Sequence, residues 1–142
     1  MITKLGTFYT LDELTVSQTA ARRGLLNTPP KEAMDNLLLL VQHTLDPLRR
    51  AVGKPIVVTS GYRSPEINRL IGGAPTSDHV NGRAADIHQP EMTVRQLMRV
   101  VLENNFPFDQ MIDEFGGRWL HISYRHEANR RQILQALHRD GR

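Results

Sequence analysis

The sequence contains no cysteine among its 142 residues. This absence excludes disulfide bonds, thiolate metal ligands and cysteine nucleophiles, so any metal site in the chain must be built from histidine, aspartate or glutamate. Six histidines are present, which is enough for one such site.

Long apolar runs are also absent. Residues 1–9 contain no uninterrupted apolar stretch of signal-peptide length, and no segment approaches the roughly 20 apolar residues that span a bilayer. We therefore expect a protein that is cytoplasmic as synthesised, with no membrane insertion and no export signal of its own.

A strong charge of one sign is missing as well, because 18 Lys and Arg against 15 Asp and Glu leave a net charge of only +3. The densest basic cluster is near the C-terminus and contains Arg125, His126, Arg130, Arg131, His138, Arg139 and Arg142. Such a cluster could contact a nucleic acid or an anionic polymer, but a solvated helix face is the interpretation we favour. Nucleic acid is accordingly not expected as a partner.

Composition and length indicate one folded unit. Apolar residues make up 39% of the chain and charged residues 23%, with a mean hydropathy of -0.40, which is typical of a globular protein and not of a disordered one. The length is close to the roughly 150 residues of one domain, and there is no repeat or low-complexity linker. We expect a single domain over residues 1–142.

Helix signals dominate the first half of the chain. A capping box at residues 10–13 and a polar start at 17–23, followed by a glycine, predict two short helices. A longer helix is predicted within residues 28–53, starting at two prolines and ending at a glycine. Because Pro47 lies inside it, we expect a kink or interruption near Thr44.

Strand signals follow at residues 56–60, 83–88, 109–115 and 118–124. The last two strands are predicted to form a hairpin closed by a two-residue turn at Gly116 and Gly117.

Three more helices are predicted: one begins at Ser64, one runs from Thr93 to about Asn105, and an amphipathic one runs from Ala128 to Arg139, with Ile133, Leu134 and Leu137 on one side. The fold class is therefore α+β, a small, mostly antiparallel sheet with helices packed on one side and the candidate site on the other.

Two short segments carry the candidate chemistry. Residues 77–86, SDHVNGRAAD, place an imidazole in a glycine-containing loop and a carboxylate seven residues later in a predicted strand. Residues 120–123, LHIS, place a second imidazole in the predicted hairpin. If these strands are neighbours, His79, Asp86 and His121 converge as two nitrogens and one oxygen around a zinc ion with an open fourth position. Each residue alone is more often an ordinary surface or turn residue.

The complete pattern resembles the zinc D-Ala-D-Ala carboxypeptidase family, in its short single-domain branch of phage and bacterial murein peptidases. The family signature Ser-x-His-x-x-Gly-x-Ala-x-Asp and a later Trp-x-His are matched by Ser77, His79, Gly82, Ala84, Asp86, Trp119 and His121. Further resemblance lies in residues 8–14, 27–30, 45–49, 59–64 and 72–73.

The resemblance implies that His79, Asp86 and His121 bind one Zn²⁺ per chain. It also implies a hydrolase, a zinc metallopeptidase that cleaves amide bonds in peptidoglycan stem or cross-bridge peptides, as a D-Ala-D-Ala carboxypeptidase or as a murein endopeptidase. In one version of this expectation the protein degrades the cell wall after its release from the cytoplasm, as a phage endolysin does. In the other version the protein is a virion component. We expect a monomer. The alternative is a non-catalytic zinc-binding module of a cell wall or virion with the same fold.

Arg63 is the first candidate outside the metal ligands. It lies between a predicted strand and a predicted helix, and its planar guanidinium can bind a substrate carboxylate or stabilise charge on the scissile carbonyl oxygen. The resemblance implies the same role. Ser77 and Tyr62 are candidates for hydrogen bonds to the substrate, and Ser123 is a candidate for a hydrogen bond that supports a metal ligand. A purely structural role is as well supported as these for each of the three residues.

The chain differs from the family pattern at the position where many relatives have the general base. Many relatives have Asp or Glu three residues before the last histidine ligand, where this chain has Arg118, which cannot act as a base at neutral pH. Strand alternation across the predicted hairpin places Glu114 on the face of His121, so Glu114 is the predicted base. A one-residue shift would transfer the role to Asp113. His88 shares the strand face of the aspartate ligand and is an auxiliary acid, a substitute ligand or an ordinary neutral histidine.

Overall fold

The computed structural model describes residues 2–114 and 116–136. Its helical elements are α1 (Leu11–Leu14), α2 (Gln18–Arg23), α3 (Lys31–Leu40), a π-helical turn (Val41–Leu45), α4 (Asp46–Val52), α5 (Pro65–Leu70) and α6 (Val94–Glu103). Its strands are β1 (Val57–Ser60), β2 (Ala84–His88), β3 (Gln110–Glu114), β4 (Trp119–Ser123) and β5 (Gln132–Ala136). None of the helices in the described ranges is long and apolar enough to cross a membrane.

The helix boundaries follow the local signals in the sequence. Thr10 and Glu13 form the predicted capping box at the start of α1, and Gly24 ends α2 with φ 64°. The long helix begins one residue later than its prolines, since Pro30 is the N-cap of α3. The interruption expected from Pro47 is confirmed, because the α-helical pattern changes to a π-helical turn at Val41–Leu45 and Pro47 lies at the start of α4.

The five strands form one open sheet in the order β1-β2-β4-β3-β5. The first four strands pair antiparallel, and β5 adds to β3 in parallel. This arrangement confirms the predicted α+β class with a mostly antiparallel sheet. Asp86 in β2 and Ile112 in β3 both lie opposite His121 in β4, so the strand that carries the histidine is central.

The two faces of the sheet have different surroundings. Ile87, Leu120 and Ile122 are fully buried in the hydrophobic core, where α6 packs against β3 and β4. On the opposite face Asp86 and His121 are only partly buried, although Ala84 and Ser123 at the far end of the same ladder are fully buried. Strand alternation therefore separates an apolar face beneath the helices from a polar face that carries the candidate site.

The predicted C-terminal helix is wrong for residues 132–136, which form strand β5. Ile133 and Leu134 are 50% and 47% exposed, so these two side chains do not form the buried apolar face that an amphipathic helix would have. Instead, β5 pairs with the edge of β3, beginning where the Gln132 N–H donates to the Asp109 carbonyl oxygen at 2.9 Å. Backbone pairing with a distant strand outweighs local helix periodicity. Leu137 and Arg139, the end of the predicted helix, lie outside the described residues.

The hairpin turn is wider than the predicted Gly-Gly connection. Arg118 lies in the turn and not in β4, and the Glu114 carbonyl oxygen accepts hydrogen bonds from the N–H groups of Gly117 at 3.2 Å and of Arg118 at 3.0 Å. Gly117 has φ 89°, which favours glycine. The predicted register is nevertheless confirmed, since Glu114 lies opposite Trp119. Phe115, predicted to face Arg118, lies outside the described residues.

Candidate metal centre

Two strands and one loop bring three candidate ligands together. Asp86 and His121 are directly opposite each other in the β2–β4 ladder, and His79 comes from the loop before β2. One ligand atom from each residue lies within 4.8 Å of the other two. The convergence expected from the sequence is therefore present, and this group can hold one metal ion.

A single carboxylate oxygen lies at the centre of the group. Asp86 Oδ1 is 3.3 Å from His79 Nε2 and 3.1 Å from His121 Nδ1. The two imidazole rings are nearly perpendicular, with centroids 5.1 Å apart. His79 is only 2% exposed, so its ring is fixed by the surrounding protein.

The hydrogen bond on the far side of His79 sets its tautomer. His79 Nδ1 lies 2.7 Å from the Gly61 carbonyl oxygen, and because a carbonyl only accepts, Nδ1 carries a proton. Nε2 then faces Asp86 Oδ1 at 3.3 Å, a contact that either a proton on Nε2 or a metal ion between the two atoms satisfies. Together with His121 they form the N₂O donor set that zinc accepts, and the residues present fit that ion.

The pKa values of Asp86 and His121 are shifted by electrostatic interactions among the candidate ligands. Burial alone would raise the pKa of the Asp86 carboxyl, but the charge and hydrogen bonds of His79 and His121 outweigh it and lower the pKa. Burial likewise lowers the pKa of His121, yet the Asp86 hydrogen bond and the negative charges of Asp86, Glu114 and Asp78 give a net increase. The site is thus an anionic pocket in which a cation is favourable.

Arg63 lies at the corner between β1 and α5, beside the metal loop. Its backbone N–H donates to the His79 carbonyl oxygen at 3.1 Å. Desolvation lowers the pKa of the Arg63 guanidinium, opposed by the charges of Asp86 and Glu114, which places all three groups within electrostatic range. The Arg63 Nε is buried and makes no hydrogen bond within the described part of the chain.

The register separates the two candidate bases. Glu114 lies on the sheet face of His121 and is partly buried. Asp113 faces the helices, is 7% exposed and lies 4.0 Å from Arg95 Nε through its Oδ2. The side chain of Asp113 is thus on the other side of the sheet from the three candidate ligands, so the observed register favours Glu114 over Asp113.

The remaining candidates are placed in supporting positions. Ser77 Oγ accepts from the His79 backbone N–H at 3.2 Å, and Ser123 Oγ accepts from the Gln110 N–H at 3.0 Å. Tyr62 is 2% exposed and its ring packs in the hydrophobic core. His88 is partly buried and lies opposite Val57 at the β1 side of the sheet.

The basic cluster near the C-terminus is not the solvated helix face that we expected. Arg130 forms a two-point ion pair with the fully buried Asp109, with Nη2 2.7 Å from Oδ2 and Nε 3.0 Å from Oδ1. Arg125 lies 3.0 Å from Asp78, the neighbour of His79, and 3.2 Å from Asp109. These arginines neutralise buried carboxylates. His138, Arg139 and Arg142 lie outside the described residues.

Asn27 belongs to the segment 27–30, for which the sequence predicted no chemical role. Its side-chain amide donates to the carbonyl oxygens of Thr15 at 2.8 Å and Tyr62 at 2.9 Å, and accepts from the Ser64 N–H at 2.9 Å. The local signal was an asparagine before two prolines, which indicated only a turn.

The comparisons with known proteins agree with this geometry. Residues 7–123 match the family model described as Peptidase M15. A 50-residue segment, 34% of the chain, is 44% identical to the zinc D-Ala-D-Ala carboxypeptidase of Streptomyces albus G. The match covers 20% of that protein, so the matched segment spans about a fifth of the length of the curated relative.

Proposed function

This chain belongs to the peptidase M15 family, and from that membership we propose that it is a zinc metallopeptidase acting on the peptide part of peptidoglycan. The observation that carries the proposal is the convergence of His79, Asp86 and His121, whose ligand atoms lie within 4.8 Å of one another. The Glu114 carboxylate and the Arg63 guanidinium lie within electrostatic range of this group. Three ligands with an open position are typical of catalytic zinc sites.

The metal would be held by His79, Asp86 and His121, one ion per chain. A zinc ion bound there supplies a water molecule of lowered pKa and polarises the carbonyl of a bound amide. The Asp86 carboxylate reduces the net charge of the loaded site from +2 to +1. The Gly61 carbonyl orients the His79 ring toward the ion through its hydrogen bond to Nδ1.

Glu114 is the proposed general base. Its carboxylate would accept a proton from the attacking water as the water oxygen bonds to the amide carbon, and would then deliver that proton to the leaving nitrogen as the C–N bond breaks. Its place on the face of His121 and its electrostatic effect on both Arg63 and His121 support this role.

Arg63 is the proposed substrate anchor. Its guanidinium would donate hydrogen bonds either to a terminal carboxylate of the substrate or to the carbonyl oxygen on which negative charge develops. A buried Nε that makes no hydrogen bond in the described part of the chain supports a guanidinium held ready for an acceptor. Tyr62 is left out of this proposal because its ring is in the core.

The proposed substrate is a stem or cross-bridge peptide with D-residues. Support comes from the printed name of the Streptomyces albus G relative, a zinc D-Ala-D-Ala carboxypeptidase. The two cleavage modes differ in product, since a carboxypeptidase releases free D-Ala from a soluble pentapeptide and an endopeptidase converts cross-linked dimers to monomers. Mass analysis of both digests assigns the mode.

The test is release of new amino groups from purified peptidoglycan by the zinc-loaded protein. We expect release by the wild type and by Asn104→Ala, whose side chain only bonds the end of α6, and no release by His121→Ala. A wild type that binds one zinc ion yet cleaves no peptidoglycan type would overturn the proposal. That result would instead support a non-catalytic zinc-binding module.

We also propose that this hydrolysis is sufficient to lyse cells, as a phage endolysin does. Addition of the wild type to bacteria whose outer barrier has been permeabilised should reduce turbidity, and Glu114→Gln should not. Cleavage of isolated peptidoglycan without any loss of turbidity would separate peptidase activity from a lytic role.

A further inference from the structure

The backbone corner that carries Arg63 is held by other segments of the chain and not by the sheet. The Tyr62 N–H donates to the Leu14 carbonyl oxygen at 2.7 Å, and the Arg63 N–H donates to the His79 carbonyl oxygen at 3.1 Å. The two flanking groups, the Tyr62 carbonyl and the Ser64 N–H, both bond to the side chain of Asn27.

The Asn27 side chain is therefore hydrogen-bonded to both residues that flank Arg63 in the chain. Its Nδ2 donates to the carbonyl oxygen of the residue before Arg63, and its Oδ1 accepts from the N–H of the residue after it. The second Nδ2 hydrogen is donated to the Thr15 carbonyl oxygen. Three hydrogen bonds from one amide fix both the corner and its distance from the segment after α1.

The side chain of Arg63 depends on this backbone for its direction. Its Nε is buried and makes no hydrogen bond in the described ranges, so this nitrogen is not oriented by a protein acceptor of its own. A shift of the corner would be transmitted directly to the guanidinium, because the Cα–Cβ bond direction is set by the backbone at residues 62–64.

We propose that Asn27 is the positioning residue for Arg63, and thereby for the substrate group that Arg63 binds. The proposal rests on the proposed function for the role of Arg63, but the placement of Arg63 by Asn27 is testable without any substrate. Within the described residues the Asn27 side chain makes no hydrogen bond to the three candidate metal ligands, and it acts through the two backbone groups beside Arg63.

The first test follows the Arg63 Nε–H by NMR in ¹⁵N-labelled protein, with the signal assigned by its loss in Arg63→Lys. We expect exchange of this buried hydrogen with solvent to be about tenfold faster in Asn27→Ala, and to be unchanged in Asn104→Ala, which removes a matched amide-to-carbonyl hydrogen bond on α6. Unchanged exchange in Asn27→Ala would overturn the proposal. If Asn27→Ala does not fold, Asn27→Asp tests the same point, since its carboxylate still accepts from the Ser64 N–H but replaces both donor bonds with an oxygen facing the Thr15 and Tyr62 carbonyls.

The second test is a double-mutant cycle on kcat/KM. Asn27→Ala should reduce kcat/KM about tenfold in the wild-type background, and less than about twofold in an Arg63→Ala background, because the two residues act as one unit. Equal losses in both backgrounds would mean a general structural role and would refute the inference. An inactive wild type would reject the proposed function alone, since the exchange measurement still decides the placement of Arg63.

Discussion

The Nδ1 atom of His79 lies 2.7 Å from the carbonyl oxygen of Gly61, the residue that follows β1. This hydrogen bond fixes the ring orientation and tautomer of the loop histidine, while Asp86 and His121 are oriented by the β2–β4 ladder. One part of the metal centre is thus built by sheet pairing and the other by a loop held against the end of a strand.

Substitution at Gly61 should damage the loop part. A Cβ added at residue 61 would collide with the Leu14 carbonyl oxygen, which already accepts from the Tyr62 N–H. We expect Gly61→Ala to lower the free energy of unfolding by about 1–3 kcal/mol. Because the Gly61 carbonyl would shift, zinc affinity should also fall about 10-fold or more.

Urea unfolding of the metal-free protein and calorimetric zinc titration measure the two effects. Val57→Ala, at a 43% exposed position in β1, the strand that precedes Gly61, is the control and should change the free energy of unfolding by less than about 0.5 kcal/mol. Wild-type zinc affinity in a folded Gly61→Ala variant would show that the Gly61 contact does not orient His79.

Removal of a ligand should abolish metal binding. Asp86→Ala and His121→Ala each remove one of three donors and should weaken zinc binding by at least about 100-fold, reducing bound zinc after dialysis from one ion per chain to near zero. Elemental analysis of untagged protein gives the stoichiometry. His43→Ala removes an exposed histidine that stacks on Tyr124 and should retain zinc. Zinc retained in both ligand variants would contradict this ligand set.

The register predicts opposite effects for two adjacent carboxylates. Glu114→Gln should lower kcat by about 10²–10⁴-fold with zinc retained, because a general base is lost. Asp113→Asn changes a carboxylate on the helix-facing side of the sheet and should leave kcat within about threefold of the wild type. Initial rates on a soluble stem peptide measure both. A severe loss in Asp113→Asn with an active Glu114→Gln would reverse the assignment.

The buried Asp109 should make the fold sensitive to acid. Burial by itself raises the pKa of Asp109, but the hydrogen bonds and charge of Arg130 outweigh burial and lower the pKa below its usual value. A lowered pKa stabilises the fold fully above the unfolded value of about 3.9, and this contribution is lost progressively as pH falls from that value through the lower pKa of the folded state.

Urea unfolding in EDTA from pH 6 to pH 3 tests the role of Asp109 with the metal removed. The free energy of unfolding of Asp109→Asn should fall less steeply with acidification than that of the wild type. Asp12→Asn, at an exposed position in α1, should follow the wild-type curve. Equal steepness in Asp109→Asn and wild type would mean that the Arg130 ion pair does not contribute below neutral pH.

Local features of the fold were predictable because their causes are local. The capping box at Thr10, the glycine ends of α2 and α4 and the interruption before Pro47 depend on residues within one or two helical turns. The hairpin register was predictable for a similar reason, since a short connection forces Glu114 opposite Trp119 even though the turn is wider than expected.

The C-terminal strand was not predictable from the residues that form it. Ile133 and Leu134 fit one side of a helix as well as a strand, and only the open edge of β3 decided between them. Arg125 and Arg130 were misinterpreted for the same reason, because the buried carboxylates that they neutralise lie up to 47 residues away in the chain.

By itself, the sequence determined which side chains can bind the metal, because the donor types and the motif spacing are present in residues 77–86 and 119–121. The tertiary structure decided how they are oriented. Pairing of β2 with β4 sets Asp86 against His121, and the corner at Gly61 aims His79 at both. The role of Asn27 was identified only from the tertiary structure, because its hydrogen bonds join segments up to 37 residues apart. At that separation, local sequence patterns contain no information about contact.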